Sequence, residues 1–348
     1  MSAEAIRGID ARGVAAWLAA NLPGARAPFT FELIAAGGSN LTYRVVDASG
    51  RAVALRRPPV AARIATAHDM AREWKILRAL SRPESSVPVP AALAFCADDS
   101  VNGAQFYVMD FVEGTILRDS AQAAALGAQQ KERATRSLVE VQAALHTLDV
   151  DGFGLGDLAK QRTGYVERQL ARWRKQAEAS TARALPLLGE VHARLARAVP
   201  REVARPALAH GDYRFDNVVM DAQQRIVAVL DWELCTIGDP VADFCWSLMY
   251  WAAPGERDTW LQDPPTRAPG FCGRAELAQR YAARTGFDLS QLGYYEAFSC
   301  WKMACLVEGV AARLRAGASG GMRAGSPEDV ERRADAYFEQ AHERSRNL

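Results

Sequence analysis

The stretch at residues 208–243, LAHGDYRFDNVVMDAQQRIVAVLDWELCTIGDPVAD, constrains this chain more than any other. His210-Gly211-Asp212 opens it, and Asn217 follows five residues after Asp212. Apolar runs at 217–220 and 225–230 flank a polar tetrad at 221–224, the pattern of two strands joined by a turn. Asp212 lies just before the first strand and Asp231 just after the second. A hairpin sets those two ends side by side, so one segment presents two carboxylates and an amide at one place.

Paired carboxylates serve phosphoryl transfer or glycoside hydrolysis. Phosphoryl transfer asks for a carboxylate to accept the hydroxyl proton, ligands for Mg²⁺, a cation for the phosphates and a lid. Mg²⁺ takes oxygen ligands and keeps waters, so an Asn and an Asp beside nucleotide phosphates suffice. Asp212 suits the base; Asn217 and Asp231 suit the metal. The Asn at this spacing, and a cation-bearing β-rich half upstream, favour phosphoryl transfer over a glycosidase pair. There is no GxSxG and no Cys in a recognisable His-paired context, which argues against a nucleophilic triad.

The net charge of +1 offers no global field for nucleic acid or an anionic membrane. Six cysteines without a CxxC pair read as reduced thiols rather than disulfides or a zinc site. The N-terminus lacks an apolar signal region, and no window reaches the ~18 apolar residues of a membrane span. The expectation is a soluble cytoplasmic protein with neither nucleic-acid nor membrane partners. Its oligomeric state is not legible.

Upstream, residues 10–22 have helical spacing, with Asp10 as N-cap and Pro23-Gly24 as stop, and read as a lid helix. Strands follow at 29–35, 41–46 and 52–56. Between the first two, Gly37-Gly38-Ser39-Asn40 is a turn whose backbone N–H groups can lie over phosphates, although a plain hairpin looks the same. Arg56 ends the third strand and is the candidate phosphate cation. Residues 66–80 read as an amphipathic helix. Its Glu73 matters if a cation stands opposite, and Arg56 is that candidate. Strands at 93–96 and 105–111 complete a five-stranded antiparallel sheet with one helix. The connector at 109–114 has backbone groups suited to the edge of an adenine. Beyond residue 120 the chain turns helical, with segments at 128–147, 163–179, 182–199, 240–252, 274–285, 291–315 and 326–345. The fold class is α+β: a small antiparallel β lobe at 1–111 and a larger, mainly helical lobe at 112–348.

His210-Gly211-Asp212 with Asn217 resembles the HGDxxxxN loop of the aminoglycoside phosphotransferase and choline kinase group, cousins of protein kinases. Leu230-Asp231-Trp232-Glu233 resembles that group's metal-binding aspartate motif, and residues 238–243 the helix start after it. GGSNLTYRV, VALRRPP, EWKIL and FYVMDFVEG extend the likeness over nearly the whole chain. The resemblance implies a two-lobed protein-kinase-like fold with nucleotide in the cleft, ATP and Mg²⁺ as cofactors, and transfer of the γ-phosphoryl group to a small-molecule hydroxyl. It implies Asp212 as catalytic base, with Asn217 and Asp231 on Mg²⁺. It places Ser39 in the lid over the phosphates, Glu73 orienting the cation Arg56, and backbone at Asp110 and Val112 against adenine. Asp243 is implied to anchor the loop. Arg56 departs from the group's usual Lys. Arg keeps the charge but is bulkier and reaches differently, so a nucleotide-binding pseudokinase or scaffold stands as the second reading.

YVERQLARW, DWELCTIGDPVADFCW and LVEGVAARLRAG resemble a narrower set, the phosphotransferase domains associated with acyl-CoA dehydrogenases. That likeness implies hydroxylated acyl-CoAs as acceptors. An aminoglycoside, a polycation, would need an acidic wall instead. The segment at 291–315 sets Lys302, Arg313 and Arg315 against Glu296 and Glu308, which leans towards an anionic or acyl acceptor. Tyr294, Phe298 and Trp301 share the segment, but their helical spacing suits core packing better.

Overall fold

Period-two alternation builds the first half of the structure. In the computed structural model, which describes residues 6–36, 40–60, 69–181, 183–201, 205–256, 261, 263–317 and 325–348, the chain divides into two units. Unit 1 comprises Met1–Glu113, Phe153–Leu155 and Val227–Glu233. Its helix α1 (Ala11–Asn21) precedes β1 (Thr30–Ala36), β2 (Leu41–Val46) and β3 (Ala52–Arg57). Helix α2 (Met70–Leu80) follows, then β4 (Ala92–Cys96) and β5 (Phe106–Asp110). The strands form one antiparallel sheet in the order β1-β2-β3-β5-β4.

Val53, Leu55, Phe106 and Val108 point to one face, while Ala54, Tyr107 and Met109 point to the other. Each face needs a cover, and each receives a helix. On the first, Val14 and Leu18 of α1 are wholly buried against Leu41, Tyr43 and Leu55, and Trp17 meets Phe106 edge-on at 4.9 Å. This corrects the lid reading of the first helix. Its apolar stripe is a core stripe, because the sheet offers an apolar face for it to bury. On the second face, Met70 and Leu77 of α2 join Ala54, Tyr107 and Met109. The sheet therefore carries two helices, not one. Arg56 lies two residues after Ala54 on β3, so its side chain leaves the α2 face.

Unit 2 comprises Gly114–Gly152, Gly156–Ile226 and Leu234–Leu348. It contains α3 (Ser120–Ala124), α4 (Ala128–Thr147), α5 (Tyr165–Ser180) and α6 (Pro186–Arg197). Short strands follow: β6 (Ala207–Ala209), β7 (Val218–Met220), β8 (Ile226–Val229) and β9 (Thr236–Gly238). Then come α7 (Pro240–Leu248), α8 (Arg274–Thr285), α9 (Leu292–Arg315) and α10 (Pro327–Arg344). β6 pairs with β9 antiparallel, and the chain passes into unit 1 within β8. Helix α9 is buried around most of its circumference and packs against α10, α5, α7 and α6. Tyr294, Phe298 and Trp301 are each at most 1% exposed, so these aromatics are core. Their polar tips are satisfied: the Tyr294 hydroxyl donates to Leu195 O, and Trp301 Nε1 donates to Leu188 O. Among the described residues no helix is long and apolar enough to cross a membrane.

Candidate active site

In unit 1 one cation gathers acidic groups around itself. Arg56 Nε donates to Glu73 Oε2 at 3.0 Å, and its Nη2 pairs with Asp231 Oδ1. Glu233 Oε2 lies 3.9 Å from the same Nη2. Glu73 is only 2% exposed and is held twice more. The Tyr107 hydroxyl donates to Oε2 at 3.0 Å, and Asn40 Nδ2 donates to Oε1 at 3.0 Å. Asn40 Nδ2 also reaches Glu233 Oε2 at 3.2 Å. Burial pushes the Glu73 carboxyl up, and Arg56 pulls it partly back. Burial also works against the Arg56 charge, but Tyr107, Asp231, Glu73 and Glu233 outweigh it and hold its pKa above the ordinary value. A cation among three carboxylates leaves the cluster net negative. Asp231 adopts φ +63°, the left-handed region where a non-glycine residue is strained.

In unit 2 the loop after β6 is tied at its base. Asp243 Oδ1 accepts from Gly211 N at 2.8 Å, and Oδ2 accepts from His210 N at 3.0 Å. Asp243 Oδ2 also meets His146 Nε2 at 3.0 Å, and His146 Nδ1 meets the Tyr281 hydroxyl at 2.6 Å. His146 is thus a core histidine. Burial opposes the Asp243 charge, but the His146 and His210 contacts and the Gly211 N–H hold its pKa below the usual carboxylate range. Gly211 has φ +82°, and a Cβ there would sit 3.0 Å from Leu234 O, so only glycine fits this turn. Asp239 is the N-cap of α7, accepting from Val241 N and Ala242 N, and takes the Tyr295 hydroxyl at 2.7 Å.

The loop then turns Asp212 between fixed donors. Asn217 Nδ2 donates to both Asp212 O and Asp212 Oδ2 at 2.8 Å. Arg214 Nε donates to Asp212 Oδ1 at 3.1 Å, and its Nη1 pairs with Asp216. The Arg214 guanidinium lies 5.1 Å from the Tyr250 ring centre.

The structure thus brings Arg56, Glu73 and Asp231 together in unit 1, and Asp212 and Asn217 together in unit 2. Asp110 ends β5, where its N–H donates to Ala91 O. Val112 follows outside the sheet, its backbone bonded to no other described residue. Ser39 lies outside the described residues. Sequence reasoning passed over Asn40, Tyr107, Glu233, Arg214 and Tyr250. Asn40 and Glu233 stood inside the GGSN and LDWE motifs. Tyr107, Arg214 and Tyr250 had no local signal, since their partners are distant in sequence or share an unremarkable loop.

Among the described residues no group of three or more His, Cys, Asp or Glu is placed to hold a metal ion alone. The donors that are present fit Mg²⁺ in type. Asp231 keeps Oδ2 and Asn217 keeps Oδ1 without a partner among the described residues, and both are the hard oxygens Mg²⁺ takes.

A five-stranded antiparallel sheet part beside a larger helical part makes this a kinase-like α+β fold. A Ralstonia eutropha structure, provisionally an aminoglycoside phosphotransferase, superposes with TM-score 0.82 at 29% identity, over 97% of this chain and 99% of that one. An aminoglycoside phosphotransferase solved with AMP-PNP and hygromycin B shares the fold at TM-score 0.59 and 15% identity, over 95% and 99%. The profile of the phosphotransferase enzyme family matches residues 30–295. Acyl-CoA dehydrogenase family member 11 of Rattus norvegicus is 34% identical over 322 residues. The match takes in 88% of this chain but 40% of that protein, so the chain spans less than half of its relative's length. The chain belongs to the phosphotransferase enzyme family.

Proposed function

We propose that this chain is a small-molecule kinase that transfers the γ-phosphoryl group of ATP, with Mg²⁺, to a hydroxyl of a hydroxyacyl-CoA or a related acid, in the cytoplasm. The observation that carries the reading is the grip on Asp212. One carboxylate is held by Asn217 and Arg214 while 20% of its side chain stays exposed. A fixed, accessible carboxylate is what a general base for an alcohol requires. Asp212 takes the acceptor's proton. Asn217 and Asp231 hold Mg²⁺, which supplies charge neutralisation to the phosphates. Arg56, oriented by Glu73, meets phosphate oxygens, Ser39 belongs to the lid, and backbone at Asp110 and Val112 meets adenine. The nucleotide-bound neighbour and the acyl-CoA dehydrogenase relative support the two halves of this reading.

The acceptor lean comes from charge. Arg214 pairs with Asp212, and Lys302 is buried on α9 without a carboxylate partner among the described residues. They disfavour a polycationic aminoglycoside and favour an anionic or acyl acceptor. A nucleotide-binding scaffold without turnover draws on one observation: the Arg56 guanidinium is already engaged by Glu73 and Asp231.

Asp212→Asn tests the reaction. Turnover is expected to fall by at least about a hundredfold with ATP affinity nearly unchanged; undiminished turnover would remove Asp212 from the mechanism. A panel of hydroxyacyl-CoAs, hydroxy acids and aminoglycosides tests the acceptor. Tight nucleotide binding with no turnover on any of them would establish the scaffold reading instead.

A further inference from the structure

The interior of unit 2 contains a lysine that pairs with no carboxylate among the described residues. Lys302, on α9, is only 9% exposed, yet it forms no hydrogen bond or ion pair among the described residues. Its ammonium lies 3.8 Å from the ring centre of Trp246 on α7 and 5.9 Å from that of Trp173 on α5. A cation–π contact offsets part of the cost of such a charge, but buried charges are ordinarily paired. Burial pulls the ammonium down to about 8, against the pull of Asp243 and Asp212.

Two further donors on these helices also lack partners. Trp246 Nε1 is buried without a partner, and so is the Ser299 hydroxyl, three residues before Lys302 on α9. Arg172, next to Trp173, is exposed and forms no ion pair among the described residues. Lys302 thus lies between two indole rings, one of them with an unpartnered N–H, and Ser299 stands one turn before it on α9. Buried polar groups left without partners in a folded protein call for an explanation. Trp246 stands three residues after Asp243 on α7, and the Asp243 carboxylate holds the His210 and Gly211 N–H groups next to Asp212.

We infer that Lys302, Trp246 and Ser299 form the acyl-oxygen subsite of the acceptor, receiving a carboxylate or thioester carbonyl while the acceptor's hydroxyl faces Asp212. The inference rests on the acceptor proposed above and adds the side chains that select it. An ammonium and an indole N–H offer protons only, so they favour an oxygen with lone pairs and reject an amine. The Trp173 and Trp246 rings suit the short apolar chain between that oxygen and the hydroxyl, and Arg172 suits an anionic group at the rim. Lys302 is a specificity residue here, with no proton to move.

Binding can be read without turnover, using butyrate and butyryl-CoA as probes that lack the reacting hydroxyl. They are titrated by tryptophan fluorescence and by calorimetry. The wild type is expected to bind at least one, with the stronger binder telling acid from thioester. Lys302→Met should weaken that binding about ten- to hundredfold, the worth of a charged hydrogen bond. Lys302→Arg should recover most of it, and Lys302→Gln replaces Met if the first variant fails to fold. With hydroxybutyryl-CoA or hydroxybutyrate as substrate, the loss should fall on KM and spare kcat, with the KM for ATP and for neutral butanediol unchanged. A wild type that binds neither probe, or a Met variant that weakens charged and neutral acceptors alike, overturns the subsite. Failure of the wild type to phosphorylate any hydroxyacyl compound would defeat the proposed reaction, while the probe titration still judges Lys302.

Discussion

Asp243 shows how much one side chain can fasten. Its two oxygens take the N–H groups of His210 and Gly211 and a ring nitrogen of His146, all in the interior. The sign of its pH effect follows from its lowered pKa. A carboxyl with a folded pKa below its unfolded value contributes stability that is complete above about 3.9 and is lost as pH falls through the folded value. Thermal melts across the acid range should therefore show Asp243→Asn losing less stability on acidification than the wild type. Near neutral pH the same variant should be less stable by about 1.5–3 kcal/mol, the worth of hydrogen bonds to a charged group. Equal acid slopes for the two proteins would contradict this role. At this scale the sequence was informative where residues carried their chemistry openly. Arg56 was named in advance as the cation that would give Glu73 a role, although a helical glutamate is by default solvated. Tyr107 and Asn40, which complete the hold on Glu73, were not, because their roles arise only when β2, β5 and α2 come together.

Among the elements, α1 is the one whose meaning changed. Its apolar spacing was visible, but spacing says that a face is buried and not against what. Leu18 is wholly buried in the sheet's core, so Leu18→Ala should cost about 2–5 kcal/mol of stability, measured by denaturant unfolding. A helix that acted as a lid would show almost no cost. Two helices were legible to their ends, the segments expected at 128–147 and 274–285 matching α4 and α8, whereas those expected at 182–199 and 240–252 are shorter as α6 and α7. The elements that escaped were short. α3 has 5 residues, and β6 and β9 have 3 each. Strands that short carry no alternation to detect, and β6 exists through its pairing with β9, as in Ala207 opposite Gly238.

For the whole molecule, the kinase-like class was legible because several motifs occur in one order along the chain, each weak by itself. The acceptor was legible only as a lean from the charges at 291–315, because a charge count along a helix does not say which side chains are buried, as Lys302 is. A nucleotide that binds only the folded chain must stabilise it. Mg·ATP at about a hundred times its dissociation constant should add about 2.7 kcal/mol, read as a rise in Tm of a few degrees. An unmoved Tm at saturating nucleotide would remove the ATP reading altogether.

Helix α7 places two unrelated duties one turn apart. Asp243 ties down the His210–Asp212 loop, and Trp246, three residues on, lies beneath Lys302. The lysine itself stands on another helix, α9. For a lineage of such chains this separates what must be inherited unchanged from what is free to drift. On the assignment proposed above, a single codon on α9 would reach the acceptor without touching the loop or its anchor. New substrate preferences then lie a short mutational walk away, and chains with the same loop can diverge in what they phosphorylate.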